Sequence, residues 1–261
     1  MEIFDFHAHI YPEKIAAAAV ENVGKFYNVT MANDGLAETL IDIGASAGID
    51  KFVVHSVATV PKHVPVINKF IQNEVEQYDE FYGFGTIHPD MEDPEGVIQS
   101  ILDAGLKGIK IHPETQGFNV DDPKLYAICD LFRGKLPLLI HCGDYRYDNS
   151  HPYRLVHLLH NFPDLTVIAA HFGGWSIPDM ALEYLENESC YMDCSSSMFT
   201  LGPRRMKELI RIYGAERMLF GSDYPMWNPK FELNRFLGLG LTEQENQLIL
   251  QDNARHILQL D

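Results

Sequence analysis

The sequence predicts a single-domain α/β fold, a (β/α)8 barrel, from three observations. Eight short apolar runs rich in β-branched and aromatic residues recur along the 261 residues. Helix-like segments separate them, and strand alternating with helix implies βαβ units and a parallel sheet. The length is about that of one closed α/β barrel, and no Ser/Gly-rich linker divides the chain, so residues 1–261 read as one domain.

The runs fall at 2–9, 51–57, 82–88, 108–112, 136–141, 166–171, 190–195 and 217–223. Among the helices, 37–48 carries apolar residues at helical spacing and stops on Gly48. Segments 94–104, 123–132 and 203–213 each open on proline, which suits a first helical turn because no N–H is needed there. The tail, 242–260, reads as a closing helix, with Thr242 and Glu245 spaced as a capping box. Eight such units close into a TIM barrel rather than an open sheet.

Composition narrows the function. Hydrophobic residues make up 46%, too many for a disordered chain. With 37 acidic against 20 basic residues the net charge is −17. That field repels phosphate backbones and anionic lipid, which excludes nucleic acid and membrane surfaces as partners and leaves a small-molecule substrate. No apolar run is long enough to span a bilayer, and the opening MEIFDFHAHI lacks the basic and apolar regions of a signal peptide. Cys129, Cys142, Cys190 and Cys194 form no CxxC pair, and no disulfide framework is expected at this length. The expectation is a soluble, cytoplasmic protein, with a homodimer compatible with a barrel of this kind.

The chemistry lies in where the polar residues fall. The first run ends in His7 and His9, the second in His55 and the third in His88. The fourth carries Lys110 and His112, the fifth ends in His141, the sixth in His171 and the eighth in Asp223. In a barrel the C-terminal strand ends share one mouth, so seven of the eight runs deliver a candidate ligand or acid–base group to one place. The two-residue period of a strand puts Asp5, His7 and His9 on one face, and likewise Lys110 and His112. His63, His151, His157, His160 and His256 fall in loops or helices and read as bystanders. Imidazoles with one carboxylate suit a divalent metal: zinc, with manganese, iron or nickel as alternatives. A catalytic site keeps one coordination position open, where water becomes acidic.

Taken in order, HAH in the first run, KGIKIHP in the fourth, LPLLIHCG in the fifth, AAHFGG in the sixth and FGSDYP in the eighth resemble the amidohydrolase superfamily. They are most similar to its amidohydrolase-related branch of hydrolases and decarboxylases, whose closing helix DNARHIL also resembles. The resemblance implies that His7, His9, His141 and Asp223 bind the metal and that Asp223 also shuttles protons. It implies that His171 is catalytic, as an electrophile, or binds a second metal. Lys110 is either a carbamylated bridging lysine or an ammonium paired with Asp5 or another inward carboxylate. His112 is a candidate for substrate or second-metal binding.

Arg146, in the polar loop after the fifth run, is a candidate clamp for a substrate carboxylate, with Arg204 as another. Gly173, Gly174 and Trp175 read as a segment that approaches a ligand closely or as a tight turn. Tyr224 and Trp227 wall the pocket or pack beneath the last helix. Three functions follow. A metal-dependent hydrolase of an amide, lactone or ester-like bond is favoured. A non-oxidative decarboxylase of an aromatic or unsaturated acid is the alternative. A non-catalytic metal-binding barrel is the remote third, disfavoured because His7, His9, His141 and Asp223 are all present.

Overall fold

The computed structural model describes residues 1–260. Eight parallel strands lie in sequence order around the barrel: β1 (Phe4–His9), β2 (Lys51–His55), β3 (Phe81–Thr86), β4 (Gly108–Ile111), β5 (Leu138–Ile140), β6 (Val167–Ala169), β7 (Tyr191–Asp193) and β8 (Met218–Leu219). The seam between β8 and β1 is closed by Phe6 N–H to Phe220 O (2.8 Å), His9 N–H to Tyr224 O (2.7 Å) and Asp223 N–H to His7 O (2.8 Å). The predicted barrel is therefore the observed one. Strands β1, β2 and β7 run through His9, His55 and Asp193, whereas β4, β5 and β6 stop one or two residues before His112, His141 and His171.

Alternate strand residues face opposite layers. Ile109, Ile111, Leu138, Ile140, Val167 and Ala169 pack outward in the large cluster shared with the helices. Val53, Phe84, Leu139, Ile168 and Leu219 fill the interior with Phe4 and Phe6. Ala254, Ile257 and Leu258 of the last helix join that inner cluster and plug the end of the barrel opposite the mouth. The capping box forms as expected: Glu245 N–H donates to Thr242 Oγ1 (3.1 Å) and Thr242 N–H to Glu245 Oε2 (2.6 Å). The helices Ala37–Ala47, Pro94–Asp103 and Pro123–Phe132 match the predicted segments. The helix at 203–213 is preceded by one more turn from Met198, kinked at Gly202 (φ 69°), and Pro203 restarts it.

One local feature corrects the reading of β1. Its pairing with β2 slips by one residue between Asp5 and Ala8: Asp5 aligns with Phe52 and His9 with His55. Phe52 lies outside the barrel, close enough to the helix Ala37–Ala47 that a Cβ on Gly44 would sit 2.5 Å from its ring. The bulge therefore separates Asp5 from the face that carries His7 and His9. The four cysteines are buried and free, and no helix among the described residues is long and apolar enough to cross a membrane.

Candidate metal centre

Three donor atoms converge at the mouth. Nε2 of His7 lies 3.3 Å from Nε2 of His9 and 3.5 Å from Oδ1 of Asp223, and the last two are 3.6 Å apart. A metal bonded to nitrogen and oxygen at about 2.0–2.2 Å holds tetrahedral ligand atoms about 3.3–3.6 Å from one another. The triangle matches that spacing. The donor chemistry matches as well. Nδ1 of His7 is tied to Asp193 Oδ2 at 2.8 Å, so His7 turns an unprotonated Nε2 toward His9. At this distance the two imidazole nitrogens are spaced either as two ligands of one cation or as a hydrogen bond in which His9 is the donor. Burial holds His7 and His9 well below the usual imidazole range, so both are neutral donors at neutral pH.

Asp193 is the residue the sequence reading missed. The seventh run was the one without a mouth residue, yet β7 delivers this fully buried carboxylate. Its Oδ1 accepts from His171 N–H (3.1 Å), Ser195 N–H (3.0 Å) and the Ser195 hydroxyl (2.5 Å), while Oδ2 holds His7. One side chain thus joins β1, β6 and β7 beneath the donor triangle.

Asp223 is fixed by its other oxygen. The Ser196 hydroxyl donates to Oδ2, and Trp227 Nε1–H donates to that hydroxyl at 2.8 Å. His171, Ser196 and Asp223 all have left-handed backbone (φ 58°, 54° and 60°). Non-glycine residues carry strain there, of order 1–3 kcal/mol each, and such strain gathers at functional sites.

His141 lines the same cavity as His9 and Asp223, beside His171. Its Nδ1 lies 3.0 Å from Nε2 of His171, whose ring sits between those of His141 (4.8 Å) and His7 (5.0 Å). His171 gives Nδ1–H to the Ser195 carbonyl at 3.0 Å, and burial keeps it neutral, so its Nε2 is an acceptor. That favours a ligand or base over an electrophile. On its other side His141 stacks on His112 at 3.9 Å, and the Tyr27 hydroxyl bridges them, 2.6 Å from His112 Nε2 and 3.4 Å from His141 Nε2. Nδ1 of His112 lies 3.2 Å from Glu114 Oε2. Tyr27 was invisible in the sequence because it ends the helix Glu13–Tyr27, far from any strand.

Lys110 is fully buried, and its Nζ lies 3.2 Å from His7 Nε2 rather than on Asp5. Burial pushes its pKa down to about 8. Asp5 sits across the bulge, where Oδ1 accepts from His7 N–H (3.2 Å) and Ser222 N–H (2.9 Å), and burial pushes its pKa up to about 7. His55 packs edge-on against His7 and His9 (ring centroids 4.9 and 4.3 Å), with neither nitrogen hydrogen-bonded. His88 is bonded to Gln116 O (3.2 Å) and Asp90 N (3.1 Å) and plays a structural part. His63, read as a bystander, lines the cavity.

The loop residues resolve differently from one another. Arg146 is already paired: Nε lies 2.9 Å from Asp144 Oδ1 and Nη2 2.5 Å from Oδ2, and Nη1 donates to Phe26 O at 2.6 Å. Its guanidinium also lies over the rings of Phe26 and Tyr27 (4.6 and 5.6 Å). Arg204 is exposed on the outer helix. Trp175 packs on Tyr27 at 4.7 Å. A Cβ on Gly143 would come within 2.4 Å of Gly174, so that glycine serves loop contact. Tyr224 is buried, its hydroxyl bonded to Asp34 (3.0 Å) and Leu36 O (2.8 Å), which is packing.

The sequence model of the amidohydrolase family matches residues 4–260. A search of curated proteins finds no match. Among solved structures, an uncharacterised TIM-barrel protein from Bordetella bronchiseptica is 22% identical with a TM-score of 0.80, covering 99% of each chain. A dihydroxybenzoic acid decarboxylase from Polaromonas, solved with bound manganese and 2-nitroresorcinol, is 15% identical with a TM-score of 0.76, covering 99% of this chain and 97% of that one. A probable 2-pyrone-4,6-dicarboxylic acid hydrolase from Acinetobacter baumannii is 16% identical with a TM-score of 0.71, covering 100% of both. At these identities the likeness is one of fold.

Proposed function

Because the chain belongs to the amidohydrolase family, whose members are metal-dependent enzymes, we propose that it is a hydrolase of a small carbonyl compound: an ester, a lactone or an amide. The donor triangle of His7, His9 and Asp223 carries this reading. A divalent cation held there supplies Lewis acidity toward a carbonyl oxygen and makes water acidic. Zinc and manganese both suit the donor set. His141, which shares the cavity with the triangle, is the proposed fourth ligand.

Asp223 takes the proton from the attacking water and returns it to the leaving group, because it is the carboxylate facing the cavity. Ser196 and Trp227 hold it in one orientation while it does so. Asp193 fixes the tautomer of His7. His171 orients His141 through the pair of ring nitrogens they share. Tyr27, with His112, offers a hydroxyl at the rim of the site to orient the substrate.

Loss of carbon dioxide from an aromatic acid is the second reading. The rings of Phe26, Tyr27 and Phe70 in the cavity wall favour it. The pairing of Arg146 with Asp144 counts against it, because among the described residues no arginine lines the cavity to hold a substrate carboxylate.

The test is turnover of a panel of esters, lactones, amides and hydroxybenzoic acids by the metal-loaded protein in isotopic water. Hydrolysis puts oxygen-18 into the product acid. Decarboxylation puts deuterium on carbon. Asp223→Asn is expected to lose at least about a thousandfold in kcat with the fold retained. Unchanged turnover in that variant would sink the mechanism.

A further inference from the structure

The mouth of the barrel opens into a cavity of about 520 Å³. Its polar groups gather at one end, where His9, His112, His141 and Asp223 meet. The remaining wall is built largely by two helices that stand over the barrel. Glu13–Tyr27 contributes Ile15, Val23 and Phe26, and Val64–Gln77 contributes Val66, Ile67 and Phe70. No lysine or arginine lines the cavity. Lys110 is held behind His7, and Arg146 is held by Asp144.

Two of the wall residues combine exposure with a place on the cavity. Ile15 is 53% exposed and Val66 64%, and both stand on the cavity. A contiguous apolar wall that reaches the surface through exposed aliphatic side chains marks a binding site. The volume lies in the range that encloses an extended ligand of drug-like size.

We propose that this site takes a substrate with one polar or singly charged head and an extended apolar body. The head lies at His9 and Asp223, and the body runs between the two helices toward Ile15 and Val66. The same wall rejects compact di- and tricarboxylic acids. Along the two helices a second carboxylate would meet mainly aliphatic and aromatic groups and no lysine or arginine, and an anion is desolvated at high cost where no cation offsets it. The position of the head rests on the metal-dependent reading given above. The apolar body rests on the cavity wall alone.

The experiment is a calorimetric titration with acetate, butyrate, hexanoate and octanoate, alongside citrate, on manganese-loaded and on chelator-treated protein. A fully buried methylene tightens binding by about fourfold. At least about twofold per methylene is expected here, because part of the wall stays open to water. Citrate is expected to bind no tighter than acetate. The double variant Ile15→Ser/Val66→Ser makes two exposed positions polar without adding charge. It is expected to flatten the chain-length series while leaving acetate unchanged.

A flat series in the native protein, citrate as the tightest ligand, or no carboxylate binding at all overturns the proposal. A rising series that is identical with and without manganese upholds the apolar body and removes support from the metal-dependent reading, so the two ideas fail separately.

Discussion

The ammonium of Lys110 lies 3.2 Å from Nε2 of His7, on the nitrogen that a divalent cation needs. Burial has lowered its pKa to about 8, so it is charged at neutral pH but readily discharged. A metal held there as proposed would compete with the lysine for one lone pair, and loading it would remove or displace the proton on Nζ.

The competition has a size. At pH 7, one unit below the pKa, discharging Lys110 costs about a factor of ten in metal affinity. Native protein is expected to bind metal more tightly as pH rises, levelling off above about 8. Lys110→Met is expected to bind about tenfold tighter at pH 7 and equally at pH 9. Competition against a chromophoric chelator measures both. Weaker binding by the variant at every pH would mean that the lysine helps to hold the metal.

Asp193 touches no cavity, yet its replacement is expected to be felt at the metal. Asp193→Asn loses the charge that fixes the His7 tautomer and leaves an amide where three donors converge on Oδ1 and one ring nitrogen on Oδ2. A fall of about 10–100-fold in metal affinity is expected, with a stability loss of about 1–3 kcal/mol from the unmatched donors. Chelator competition and urea melts read the two separately. Unaltered affinity would place the control of His7 elsewhere.

Asp5 predicts a pH dependence of stability. Its folded pKa of about 7 lies above the ordinary carboxyl value of 3.8, so between these values the folded protein holds a proton that the unfolded chain has lost. Its contribution is fully present below about pH 4 and is lost as pH rises through about 7. The slope is about 1.4 kcal/mol per pH unit within the window. His7, His9, His55 and His141, held below the ordinary imidazole value by burial, act in the opposite sense near pH 6. The comparison that isolates Asp5 is therefore native protein against Asp5→Asn, both without metal. The difference in unfolding free energy should fall along that slope and then flatten.

Arg146 anchors the helix Glu13–Tyr27 to the loop after β5, through Phe26 O and the ring faces beside it. Arg146→Ala leaves the Asp144 carboxylate buried without its partner. A stability loss of about 2–4 kcal/mol is expected, with a higher KM because Tyr27 loses its support. The ratio of affinities for a carboxylate and its neutral amide should not change. A selective loss of carboxylate binding would restore Arg146 to the clamp role suggested by the sequence.

The barrel was legible because strand and helix alternate with different periods, and a terminal proline or glycine marks several helix ends. His7, His9 and Asp223 were legible because strand ends in a barrel must meet. What stayed hidden involves contacts across elements. Nothing in CYMDCS distinguishes Asp193 from a surface carboxylate until the closed barrel brings it against His7 of β1 and His171 after β6. Tyr27 arrives from a helix whose docking angle no local pattern encodes. The bulge at Asp5 was hidden because FDFHAH alternates without interruption, and only pairing with β2 exposes the extra residue. The pairing of His171 with His141 was hidden as well, because His171 sits in a left-handed turn, a conformation that sequence rarely announces for histidine.

The seam between β1 and β8 also governs when the centre can come into being. His7 and His9 leave the ribosome early, but the bond from Ser222 to Asp5 spans 217 positions, and Asp223 arrives beside it. Until β8 is made, the nascent chain offers a cation two neighbouring imidazoles and no carboxylate from the far strand. Such a pair exchanges freely with whatever ion the cell supplies. Closure over so long a separation is slow compared with local structure. The candidate centre is thus assembled only in the finished barrel, where Asp223 and the buried Lys110 stand beside His7.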